Sequence, residues 1–193
     1  MLANLLLLIL NFAGGFLSLM LLARFFMQWQ RVSFHNEIGQ FVIATTDWCV
    51  RPLRRVLPGL FGLDMASLLP AWVVQTVLAF ASLAARGVPF GDNIAGVLLG
   101  VWGIGLVDLM QLMVYMVIGI VLISAVFSWV NPHAPMAPLF FTLAAPFLRP
   151  FRKLIPLVAN VDLSPLVLLL VLQILLMLLA RIGGAFTPLI VGL

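Results

Sequence analysis

Four stretches of this chain, Met1–Phe26, Leu68–Ala85, Leu112–Val130 and Leu163–Ala180, approach or exceed the ~20 apolar residues with which an α-helix crosses a hydrocarbon core about 30 Å thick. Composition agrees. Of 193 residues 64% are hydrophobic and 8% charged, against roughly 25% charged in a soluble domain, so water is not the main solvent of this chain. The expected fold class is all-α, a polytopic transmembrane bundle of about four membrane-spanning helices. The first run has no Lys or Arg ahead of it, no small-residue cleavage pattern behind it and more length than a signal-peptide core, and is read as a retained helix.

The chain contains itself twice. Arg51-Pro52-Leu53-Arg54-Arg55-Val56-Leu57-Pro58 is answered 98 residues later by Arg149-Pro150-Phe151-Arg152-Lys153-Leu154-Ile155-Pro156. The same offset carries Asp64 onto Asp162 and Gln75 onto Gln173, and an offset of 100 carries Trp29 onto Trp129 and Asn11 onto Gln111. Fixed-period self-similarity marks a duplicated structural unit. The predicted units are residues 1–90, with helices near 4–29 and 66–86, and residues 91–193, with helices near 106–130 and 164–184. Each unit is a hairpin with an even number of crossings, so the two are parallel repeats related by an axis along the membrane normal. The stretch Ile94–Val130 exceeds one perpendicular crossing at ~1.5 Å per residue and holds Gly100, Gly103, Gly105 and Asp108. An extra interfacial segment over 94–104, turning into the third helix near Asp108, is expected, with a partial insertion as the alternative.

Six of the ten Lys and Arg residues sit in the paired motifs, Arg24 and Arg31 flank the end of the first helix, and only Arg86 and Arg181 lie towards the opposite side. By the positive-inside bias of short loops, both connectors face the cytoplasm and both termini face outward. The net charge of +4 is too sparse, and arranged too little along a soluble face, to indicate nucleic acid; membrane lipids with anionic headgroups are the expected partner, at ~1 kcal/mol per cation near the surface. Arg51, Arg54, Arg55, Arg149, Arg152 and Lys153 are the candidate partner- or lipid-binding residues, against the plainer role of topology anchors. Their prolines restrict φ and remove backbone donors, so the connectors are expected to be held in a defined turn rather than a floppy loop.

Helix starts are expected at Asp162-Leu163-Ser164-Pro165, with Asp162 or Ser164 as cap and Pro165 in the first helical position, and at Asp64, which caps alone unless Ser67 does so one turn later. Asp64 and Asp162 each lie close enough to the basic cluster for an ion pair tying connector to second helix. Asn11, Gln75, Gln111 and Gln173 fall inside apolar helices at matching positions of the two units. Such residues tend to face the bundle interior, as interhelical links or as the lining of a polar path. Asp108 is an intramembrane acid by composition and so a candidate for ion or proton handling, against the favoured expectation of an interfacial residue near the outer end of its helix, where water solvates it. Gly14 with Ser18, and Gly119 alone, are candidates for close helix approach.

The sequence offers little for catalysis. It has no zinc-protease His pair, nucleophile elbow or phosphate-binding glycine loop, and its single cysteine, Cys49, allows no intrachain disulfide. His35 and His133 lie far apart without metal-ligand spacing. No enzyme activity, cofactor or metal is expected.

At the paired motifs the sequence resembles the YggT (YlmG-like) family of small bacterial membrane proteins, whose unit joins a basic Arg-Pro connector to an Asp-x-Ser-Pro helix start. The second copy matches more fully, with Trp129-Val130-Asn131-Pro132-His133, Pro146 to Pro156 and Asp162 to Pro165. The first keeps Arg51 to Pro58 and Asp64 but lacks the Asn-Pro and Ser-Pro pairs. Asp47 fits an acid that often precedes the family motif, where the second copy has Ala145. The resemblance implies a bacterial inner-membrane protein from a family linked to osmotic stress tolerance, ion uptake, cell division and, in plastids, cytochrome assembly and nucleoid organisation. Two functions are therefore expected. The first is a non-enzymatic scaffold or assembly factor whose connectors dock a cytoplasmic or membrane partner or anionic lipid. The alternative is a channel or transporter component in osmotic or cation (K⁺) homeostasis, which would need a homo-oligomer to build a pore.

Overall fold

The computed structural model describes residues 2–55, 64–154 and 162–192, of which 2–4 are described through the backbone alone. Val56 to Pro58 of the first basic motif, and Ile155 and Pro156 of the second, lie outside the described residues. The elements are all helical: α1 (Leu2–Trp29), α2 (Glu37–Arg54), α3 (Met65–Ala85), α4 (Ile94–Val130), α5 (Ala137–Leu154), α6 (Ser164–Ala185) and α7 (Thr187–Val191). Among the described residues, four stretches are long and apolar enough to span a bilayer: α1, α3, α4, and α6 continued by α7. The protein is an all-α polytopic membrane protein.

Two expectations about the elements require correction. The Pro- and Arg-rich connectors are not turns: each contains an 18-residue helix, α2 and α5. A buried stripe at helical spacing drives each one, Gly39, Val42, Thr46 and Val50 in α2 and Ala137, Leu139, Leu143, Ala144 and Leu148 in α5, while the cations collect in the last turns. The Asn36 side chain starts α2 by accepting from Gly39 N–H at 2.7 Å. Nor is there a separate segment over 94–104. α4 runs unbroken for 37 residues, about 55 Å at the usual rise, because its glycines serve packing rather than turning. A Cβ on Gly105 would stand 2.6 Å from Thr76 Cα, and one on Gly103 would strike the Phe186 ring.

α1 and α3 form one antiparallel hairpin, closely packed where a Cβ on Gly14 would come within 2.9 Å of Leu78. α4 and α6 form the other. Without a hydrophobic force between helices in lipid, contacts through small residues carry the association, and the α3–α4 seam shows this at Gly105 against Thr76. The seam is reinforced by Trp72 and Trp102, edge to face at 5.0 Å, with Trp72 Nε1 donating to the Trp102 carbonyl at 3.2 Å. Gly119 meets nothing within 4 Å, so the close approach expected there does not occur. α4 meets its two partners at different heights: Gly105 faces Thr76 in the middle of α3, whereas Val107 faces Gly183 near the far end of α6. α5 reaches back to the first hairpin, with the Phe147 ring 6.0 Å from Phe26 and 6.2 Å from Trp29.

Candidate functional site

The two connectors end in the same clamp. Arg54 Nη2 donates to Asp64 Oδ2 at 2.7 Å, and Arg152 Nε donates to Asp162 Oδ2 at 2.7 Å. Each pair joins the last turn of a connector helix to the start of the following spanning helix, ten residues on in both copies. In the first copy Arg54 also donates to Gln28 Oε1 at 2.5 Å, tying in the end of α1, and Ser67 Oγ donates to the buried Asp64 carboxylate at 2.6 Å.

These pairings change the capping roles. Asp64 occupies the N-cap position of α3, but its carboxylate is held by Arg54 and Ser67 and makes no bond to a backbone N–H. Asp162 does accept from Ser164 N–H at 2.9 Å. Ser164 itself does not cap; its hydroxyl is buried without a partner. Burial raises the Asp162 pKa, but Ser164 and the Arg152 guanidinium together outweigh it and hold the carboxyl below its ordinary value.

A second ionic group distinguishes the copies. Arg24, only 5% exposed, donates through Nη1 to Thr46 Oγ1 at 2.9 Å and to Asp47 Oδ1 at 2.8 Å. Asp47 also pairs with Arg51 at 2.9 Å, one turn on. At the matching places of the second copy stand Ser124, Ala144 and Ala145, so the buried base, its acid and its hydroxyl are lost together. Residue type alone did not single out Arg24 or Thr46; the coordinated absence of all three in the other repeat was the available signal.

Of the six connector cations singled out in the sequence, Arg51, Arg54 and Arg152 are engaged in ion pairs, and among the described residues Arg55, Arg149 and Lys153 have no acidic partner. All three are exposed. Exposed Trp29, Trp48 and Trp129 lie on or beside the connectors, as amphipathic rings do at a membrane–water boundary.

The intramembrane polar residues divide. Asn11, Gln75, Asp108 and Gln111 line one cavity of about 530 Å³ between α1, α3, α4 and α6, together with Ser82, Arg86 and Thr187. Gln173 is elsewhere, exposed on the outer face of α6, so the four amides do not form one symmetric set. Asp108 is half-buried, one turn from the Gly105–Thr76 contact and well inside α4 rather than at a helix end. The cavity has its rim at exposed Arg86 and Thr187, on the side away from the connectors, and reaches Gln75, 11 residues or about 16 Å down α3. Beyond Gln75 the bundle is closed by Leu21, Leu22, Ala66, Ala71 and Leu109. Among the described residues, no group of three His, Cys, Asp or Glu side chains is placed to hold a metal ion.

A family model described as CCB3/YggT matches the chain twice, over residues 3–84 and 104–183. The chain is similar to the uncharacterized protein YggT of Escherichia coli K12, 32% identical over 158 residues, which cover 81% of this chain and 79% of that one. An uncharacterized Pseudomonas aeruginosa protein is 36% identical over 181 residues, covering 93% of this chain and 90% of its own. No solved structure matches.

Proposed function

This chain belongs to the CCB3/YggT family, whose model it matches twice, and we propose that it is a membrane scaffold or assembly factor whose connector helices dock a partner. One observation carries this reading: each connector is a helix clamped at its end by an Arg–Asp pair, which leaves Arg55, Arg149 and Lys153 exposed at fixed positions. A topology anchor needs positive charge alone; it does not need that charge on a helix tied to its neighbours. In this reading the connectors face the cytoplasm of a bacterial inner membrane, both termini face outward, and no catalysis occurs. The partner presents acidic groups, with anionic headgroups as the competing occupant.

The test is the size of the complex extracted gently from native membranes, compared between the wild type and an Arg55→Glu, Arg149→Glu, Lys153→Glu chain. A species larger than the chain's own oligomer, lost on reversal while insertion and melting are kept, supports docking. An unchanged complex removes the cations from the account. Arg54 and Arg152 are left unchanged, because each is engaged in a clamp and its reversal would mix loss of that pair with loss of docking.

The polar cavity favours a second reading, a channel or transporter component in osmotic or cation homeostasis. Because the apolar cluster below Gln75 closes the protomer, a continuous path requires a second copy or a rearranged bundle. K⁺ flux in liposomes, lost when Asn11, Gln75 and Gln111 are made apolar, supports it; absence of flux counts against it.

A further inference from the structure

Three helices deliver Asn11, Gln75, Asp108 and Gln111 to one cavity, and among the described residues no hydrogen bond or ion pair joins these groups to one another. Gln75 is more than nine-tenths buried and lines the cavity floor. Polar groups left without partners at membrane depth are costly, and an intramembrane carboxylate calls for a counter-charge. Among the described residues none is supplied: neither Arg86 on the rim nor Arg181 forms an ion pair with Asp108.

We propose that this cavity binds a small organic cation carrying N–H donors, of the alkylammonium class. Asp108 is its counter-charge, and the amide oxygens of Asn11, Gln75 and Gln111 are acceptors. Size and chemistry both select this class. About 530 Å³ falls within the roughly 300–1,000 Å³ of small-molecule sites and is far more than one water occupies. A bare metal cation requires a close cage of oxygens, which separate side chains on three helices around a roomy cavity do not provide. An ammonium group needs one anion and two or three acceptors, and its hydrocarbon part finds Leu78 and Ala79 on α3 and Gly183 and Gly184 on α6, which line the same cavity. Binding in this cavity requires neither docking at the connectors nor transport across the bilayer.

The test is equilibrium binding of radiolabelled propylammonium to the full chain in phosphatidylcholine nanodiscs. Saturable binding at one site per chain is expected, at least ~tenfold weaker in Asp108→Asn, as for loss of a charge-assisted contact, and retained in Asp108→Glu. Should Asp108→Asn fail to fold, Gln111→Leu serves in its place, with weakened binding expected. No saturable binding, or equal affinity in the folded variant, overturns the proposal. Displacement of propylammonium by an equimolar concentration of K⁺ also overturns it, because the cavity would then be a bare-ion site.

Discussion

Arg24 and Asp47 show how strongly the consequence of a substitution depends on which partner remains. Changing Asp47 to Asn leaves a guanidinium that is only 5% exposed without its acid, and breaking a buried pair from one side costs about 3–5 kcal/mol. Replacing Arg24, Thr46 and Asp47 together by Ser, Ala and Ala, the set found in the second repeat, removes the charge with its partner and is expected to cost much less than the single change. Unfolding in mixed micelles measures both. Asp162 gives a prediction in pH. Its folded-state pKa is lowered, so its contribution to stability is fully present above the ordinary carboxylate value of about 3.9 and is lost as pH falls through the folded value. The wild type is expected to lose thermal stability across that acid window, and Asp162→Asn to lose the part of the pH dependence that comes from this group.

At the scale of elements, the spanning helices were legible because length and apolarity alone decide them. The ion pairs between basic cluster and following acid were legible too, since a spacing conserved between repeats implied a shared contact. The connector helices were missed because Pro52, Pro146 and Pro150 looked like breakers. Each removes one backbone N–H from a helix, Pro52 and Pro150 near its end and Pro146 in its middle, and the buried stripe still holds the helix together. Reading Val42, Thr46 and Val50 at four-residue spacing would have found α2. The cavity was only half legible: repeat symmetry placed Gln173 with the other amides, but symmetry of sequence position does not fix which face of a helix turns inward. Gly105→Ala is expected to force α3 from α4, because its Cβ would meet Thr76 backbone, and overpacking of this kind costs about 1–3 kcal/mol. Gly119→Ala, with nothing within 4 Å, is expected to change melting little. Thermal unfolding of the two variants side by side checks the contrast.

Across the whole molecule, the charges and the cavity point to opposite ends. Exposed connector cations occupy one side, and the polar cavity opens near Arg86 on the other. This arrangement gives a topology prediction. In a Cys49→Ser background, a cysteine replacing Arg55 is expected to resist an impermeant thiol reagent added to intact cells, and one replacing Arg86 to react; the reverse pattern would invert the orientation. Contact between the exposed connector cations and a partner is captured by photo-crosslinking from positions 149 and 153. A protein adduct of the same mass is expected from both positions, and it disappears when Arg55 and the remaining cation of that pair are reversed. Adducts to lipid alone, or a protein adduct indifferent to reversal, would contradict the docking reading and leave the connectors as anchors.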